Sequence, residues 1–194
     1  MSDESGRRDD FRVLLISMPF GGFDRPALGI SLLKGALARD RIGCDIAYFN
    51  LLFAERTGLD NYCLFTSQGG AEDSTGIPYT AFAGDWIFSQ HFYGPGSLDA
   101  EGYVKRVLRS PSFGISEESI RFVLALRAFV PQFLRECLER IEVQRYDVVG
   151  FTSTFEQTMA SLCLARLLKE RRPEVRIVFG GAHLEGVMGA ELHR

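Results

Sequence analysis

Twice along this chain a short apolar run ends in a loop of small residues, a helix-spaced segment follows, and a second apolar run comes directly after it. The first instance opens at Phe11–Met18 (FRVLLISM), whose unbroken Val, Leu and Ile content is that of a strand buried on both faces. Pro19 ends it, and PFGGFDRP reads as a loop. Pro26 suits the first turn of a helix, where its missing N–H is not needed. That helix is expected to bury Leu28, Leu32, Leu33, Ala36 and Leu37 and to stop near Gly43 in a left-handed cap, with Cys44–Phe49 (CDIAYF) as the next strand. The second instance runs through a strand at Tyr146–Phe151 (YDVVGF), a TST loop, a helix over Phe155–Arg171 and a strand at Val175–Phe179 that ends at Gly180-Gly181. In the helix, Phe155, Met159, Leu162, Ala165 and Leu168 are spaced for burial. Two strand–helix–strand units with right-handed crossovers predict an α/β fold: a doubly wound, flavodoxin-like or Rossmann-like parallel sheet of at least four strands.

Between the two units, residues 50–115 carry many Gly and aromatic residues with weak periodicity, and they read as a helical or irregular insertion. Its densest polar-aromatic run is AGDWIFSQHFYG, with Asp85, Trp86, His91 and Tyr93. Helix spacing resumes at Ser116, a suitable cap. Ile120, Val123, Leu124, Phe133, Leu134, Cys137, Leu138 and Ile141 lie on one face, and Pro131 is expected to kink or divide the segment. Residues 1–10 read as a disordered tail before one domain over 11–194, and the last residues read as the start of a further helix, so a domain incomplete at its C-terminus is expected.

A net charge of −3 supplies no basic footprint for a phosphate backbone, which argues against nucleic acid as a partner. No apolar run approaches the roughly 20 residues of a membrane span, and MSDESGRRDD lacks the apolar core of a signal peptide, so no membrane partner and a cytoplasmic location are expected. Cys44, Cys63, Cys137 and Cys163 have no CxxC spacing and read as core thiols.

In an open parallel sheet, ligands lie beyond the carboxyl ends of the strands. Three segments occupy those ends: Pro19-Phe20-Gly21-Gly22 after the first strand, Thr152-Ser153-Thr154 after the third, and Gly180-Gly181-Ala182-His183 after the fourth. Small and hydroxyl residues there let a bulky ligand approach the backbone. Neither GxGxxG nor GxxxxGK(S/T) is present, so the usual phosphate loops are not supported. Gln157 is a candidate ligand contact, whereas Glu156 reads as a complement to its own helix terminus. Three histidines so scattered assemble no Ser–His–Asp constellation, and no paired carboxylates stand out, so no catalytic or metal-ligating residue is assigned.

The strand with Gly150-Phe151-Thr152, followed by a helix and a strand ending in Gly180-Gly181-Ala182, resembles the second and third signatures of cobalamin-binding domains. The DxHxxG loop of those domains is missing. Pro26-Ala27-Leu28-Gly29 stands near its place, and is similar to the Pro-x-x-Gly of cobalamin domains in radical S-adenosylmethionine (SAM) enzymes, which generally lack the lower-axial histidine. SMPFGGFDRPALGISLLKGAL, AGDWIFSQHFYG, VVGFTSTFEQTMASLCLARLLK and FGGAHLEG further resemble the N-terminal region of radical SAM proteins of the RiPP maturation protein 1 type.

The resemblance implies a cobalamin-binding domain without a protein axial histidine, its cofactor contacts drawn from Pro19, Phe20, Gly21, Gly22, Pro26, Gly29, Thr152, Ser153, Thr154, Gln157, Gly180, Gly181, Ala182 and His183. It implies C-methylation of a ribosomally made precursor peptide by the complete enzyme. The CxxxCxxC that would hold a 4Fe-4S cluster for SAM is not in this sequence, which places both in a downstream domain and makes this chain alone inactive by expectation. Two other readings stay open: a flavodoxin-like module for a nucleotide or flavin, and a non-catalytic domain docking a leader peptide through AGDWIFSQHFYG.

Overall fold

The structure is a computed structural model that describes residues 11–66, 76–154 and 156–192. The segment 1–10 expected to be a tail, and Phe155, lie outside the described residues. In chain order the elements are β1 (Arg12–Ser17), α1 (Leu28–Arg39), β2 (Gly43–Tyr48), α2 (Phe49–Thr57), α3 (Leu59–Thr66), α4 (Ala83–Tyr93), α5 (Ala100–Tyr103), α6 (Glu117–Glu139), β3 (Val148–Thr152), α7 (Thr158–Arg171), β4 (Arg176–Gly180) and α8 (Gly186–Leu192). A π-helical turn, Val104–Leu108, prolongs α5.

The strands form one all-parallel sheet in the order β2-β1-β3-β4. Helices flank it, so the fold is the expected doubly wound, Rossmann-like α/β type. The faces divide by strand alternation: Leu14 and Ile16 of β1 and Val149 and Phe151 of β3 join the large core beneath α4, α6 and α7. Val13 and Leu15 point the other way, onto Ile30 of α1.

On that second face the expected burial is not found. Leu28, Leu32, Leu33 and Ala36 of α1 are exposed, Leu28 by 70%, and Leu37 is half-buried. The periodicity is real, but α1 packs mainly over β1 and β2, and Ile30 is its one buried residue. Val178, on the same face of β4, is 53% open. The helix begins at Leu28, so Pro26 stands just before it, and the left-handed residue that follows is Arg41 (φ 58°), Gly43 being already in β2.

The insertion is mainly helical. Phe53 and Tyr62 of α2 and α3, Phe88 of α4 and Phe133 of α6 form its buried aromatic centre. Ser116 caps α6 as expected, accepting from the Ser119 N–H at 3.1 Å. Pro131, however, does not divide α6, which runs unbroken over 23 residues. Ile120, Val123 and Leu126 are buried before the proline and Phe133, Leu134 and Cys137 after it, so packing on both sides outweighs the lost hydrogen bond. Leu124, expected inside, is 40% exposed. No helix among the described residues is long and apolar enough to cross a membrane.

Candidate binding site at the carboxyl edge of the sheet

β1 and β3 are neighbours, yet the chain leaves them toward opposite faces, to α1 and to α7. This is the switch point at which open α/β sheets make a crevice. Cα partners Ser17 and Thr152, then Thr152 and Gly180, carry one line across that edge. All three predicted loops therefore meet in one place.

The first loop is held rigidly from behind. Gln157 donates its amide to the Met18 carbonyl at 2.6 Å, the Tyr62 hydroxyl donates to Gly21 O at 2.7 Å, and Asn50 Nδ2 donates to Gly22 O at 2.9 Å. A Cβ on Gly21 would meet Gln157 Nε2 at 2.7 Å, so a larger residue there would displace the Gln157 amide that holds the loop. Pro19 is buried, the Pro19–Phe20 peptide is cis, and Phe20 faces the core with its ring stacked on Phe65 at 4.2 Å. Gly22, Pro26 and Gly29 are the open members of this segment.

Behind the loop, the Asn50 side chain is buried while its Oδ1 accepts no hydrogen bond. A buried acceptor without a donor is a costly feature, of about 1–3 kcal/mol.

The second and third loops are tied together as well. The Thr154 N–H and hydroxyl both donate to Gln157 Oε1, at 3.1 and 2.7 Å, so the predicted ligand contact Gln157 spends its whole amide on joining two loops. The Ser153 N–H donates to Gly180 O at 2.7 Å, and its buried hydroxyl pairs with Thr158 Oγ1, which in turn reaches His183 Nδ1 at 3.2 Å. Gly181 has φ +109° and lies against the Ser153 backbone, whereas a Cβ on Gly180 would meet no atom within 4 Å. Facing outward are Thr154, Gly180 and Ala182, with Thr152 and His183 half-buried.

Two acidic residues complete the edge, in roles that sequence spacing does not signal. Neither α4 nor α7 has a side-chain cap from its own N-cap residue. Instead they exchange caps. Glu156, before α7 and in a left-handed conformation (φ 59°), accepts from Gly84 N at 3.2 Å at the start of α4. Asp85, in the first turn of α4, accepts from Met159 N at 2.8 Å at the start of α7. Glu156 thus complements a different helix terminus from the one expected.

Burial pushes the Glu156 carboxyl up to about 8, with neighbouring Asp85 adding to the rise and the N–H groups of Gly84 and Ala83 opposing it. Burial also raises Asp85, against the N–H of Met159 and the pull of His183. Because the folded value for Glu156 lies above its ordinary 4.5, its contribution to stability is full below that pH and is lost as pH rises through about 8. Glu156→Gln, which keeps the acceptor without the charge, is expected to exceed the parent by about 2–4 kcal/mol above pH 9, with little difference near pH 4. Urea titrations across that range check this, and a gap that widened toward acid would contradict it.

Comparison with protein-family models, with curated proteins and with solved structures finds no match. Function therefore has to be argued from this edge.

Proposed function

We propose that this chain is the cobalamin-binding module of a radical SAM enzyme that C-methylates a ribosomally made precursor peptide. The observation that carries the reading is the line of Cα partners Ser17, Thr152 and Gly180 along the switch-point edge, with the Gly21–Gly22 turn following Ser17. Gly22 and Gly180 are exposed there, while Gln157, Tyr62, Asn50 and Ser153 behind it are engaged in holding the loops. Such a floor suits a broad ligand that needs close backbone approach more than a phosphate that needs a glycine-rich fingerprint.

The residues present fit the group. Gly22, Pro26, Gly29, Thr152, Thr154, Gly180, Ala182 and His183 are the positions that would hold it, and the exposed glycines leave backbone open to the amide-bearing rim of a corrin. Cobalamin, when bound, supplies a transferable methyl group on cobalt. The chain's own part is to fix the loops in advance, so that little ordering remains to be done on binding. SAM and the 4Fe-4S cluster belong, in this reading, to the domain that carries CxxxCxxC.

Titration with hydroxocobalamin is expected to shift the corrin visible bands saturably, with no imidazole-ligated spectrum. Gly180→Trp is expected to abolish the shift without altering the far-ultraviolet circular dichroism, since no atom lies within 4 Å of the added Cβ. Saturable binding of a flavin or nucleotide in place of cobalamin would overturn the proposal. An imidazole-type spectrum lost in His183→Ala would overturn its axial-ligand part.

A further inference from the structure

The insertion carries a groove of its own, where α4, the α5 π-turn and α6 meet. Two adjoining clefts, of about 410 and 340 Å3, share Ala100, Glu101 and Arg127. Arg127 of α6 lies over the Trp86 ring, 4.0 Å from its centre, and Trp86 stacks on Tyr103 from the π-turn side at 4.4 Å. The guanidinium donates through Nε to Gln90 Oε1 at 2.9 Å and through Nη1 to the Trp86 carbonyl and Ser89 Oγ. Among the described residues its Nη2 has no acceptor and no carboxylate is within ion-pair reach of Arg127.

A half-buried cation without a counter-ion is uncommon, because desolvation penalises it. Burial lowers the Arg127 pKa, with Tyr103 opposing. Four neighbouring charges decide the sign of the groove. Lys105 is exposed and, among the described residues, in no ion pair; Arg109 is held by Glu117 at 3.0 Å, and Asp99 is held by Arg106 at 2.9 Å. Among the described residues lining the two clefts, Glu101, exposed at the rim, is the carboxylate left to oppose Arg127 and Lys105. Leu124 and Val104 give the same groove an apolar side, which explains why Leu124 is not in the core. Val104 and Lys105 reach the groove from the Val104–Leu108 π-turn, a rare form of helix that recurs at functional sites.

We propose that this groove docks an acidic, apolar peptide segment, one carboxylate pairing with Arg127 Nη2 and Lys105 and an adjacent aliphatic side chain lying on Leu124 and Val104. Two adjoining clefts, a guanidinium with no carboxylate partner among the described residues and one flanking ammonium match a chain with alternating carboxylate and aliphatic groups. The groove needs no cofactor at the sheet edge, so its occupancy and that of the edge can be tested separately.

Trp86 is the chain's sole tryptophan and lies directly under Arg127, which makes its emission a built-in reporter. Titrating the chain, without cobalamin, with a short capped peptide of alternating Glu and Leu is expected to change Trp86 emission saturably, and added salt should weaken binding. The matched Gln–Leu peptide should leave the emission unchanged. Arg127→Gln is expected to weaken binding by about tenfold or more, and Lys105→Glu, at an exposed position that the fold does not need, by a few-fold or more. Equal binding of the Gln–Leu peptide, undiminished affinity in Lys105→Glu, or an identical response to inorganic phosphate alone would each overturn the proposal.

Discussion

Replacing Gly181 by alanine is expected to remove about 3 kcal/mol or more of folding stability, far beyond the usual effect of one methyl group. Two penalties act together. At φ +109° an L side chain is strained whatever the space around it, and the added Cβ would sit on the Ser153 peptide, 2.9 Å from both its nitrogen and its carbonyl carbon. Ser153 cannot yield easily, because its N–H is bonded to Gly180 O and its hydroxyl to Thr158. Gly180→Ala, one residue earlier and open, is the internal control and should lie within about 0.5 kcal/mol of the parent. Urea denaturation of both variants makes the comparison, and equal midpoints would contradict the close-approach argument. The contrast matters for reading any ligand assay: lost binding in a Gly181 variant reports on folding, whereas lost binding in a Gly180 variant reports on the site.

Phe20→Ala should be similarly severe, at about 3–5 kcal/mol. The ring is 6% exposed, stacked on Phe65 and edge-on to Phe53 at 5.5 Å. α4 closes over it so tightly that a Cβ on Gly84 would meet it at 2.6 Å, so the cavity left behind can collapse little. The same variant removes the apolar anchor of the Gly21–Gly22 loop. It should therefore reduce ligand affinity at the sheet edge, and a denaturant midpoint near that of the parent would show that Phe20 is not the anchor assigned to it. Its place in the loop predicts a cofactor contact for Phe20; in the structure its ring is the peg that fastens the loop to the core.

These two positions show what a linear pattern conveys. The two strand–helix–strand units are legible because parallel strands buried on both faces leave continuous apolar runs, and Gly–Gly pairs at their ends mark the candidate edge. Which small residue serves the ligand and which serves the fold is not legible. The partners that decide it are distant in sequence: Gln157 and Met18 are 139 residues apart, and Glu156 and Gly84 are 72 apart. The α1 stripe teaches the converse. Leu28, Leu32 and Leu33 have the spacing of a buried face, but spacing cannot say how much sheet lies beneath the helix. Pro131 likewise breaks a local rule that the packing of α6 overrides.

The exchange of carboxylates between Glu156 and Asp85 ties the insertion to the sheet at two helix ends at once. Drawing α4 away from α7 would strip both helices of their terminal partners and expose the buried Glu156 and the half-buried Asp85 together, so the two helices are expected to move as one lever. Trp86 is the next residue along that lever from Asp85. A displacement of the β3 loop at the sheet edge is therefore expected to be felt at Trp86, so that occupancy of the edge would alter the affinity of the groove without being required for it.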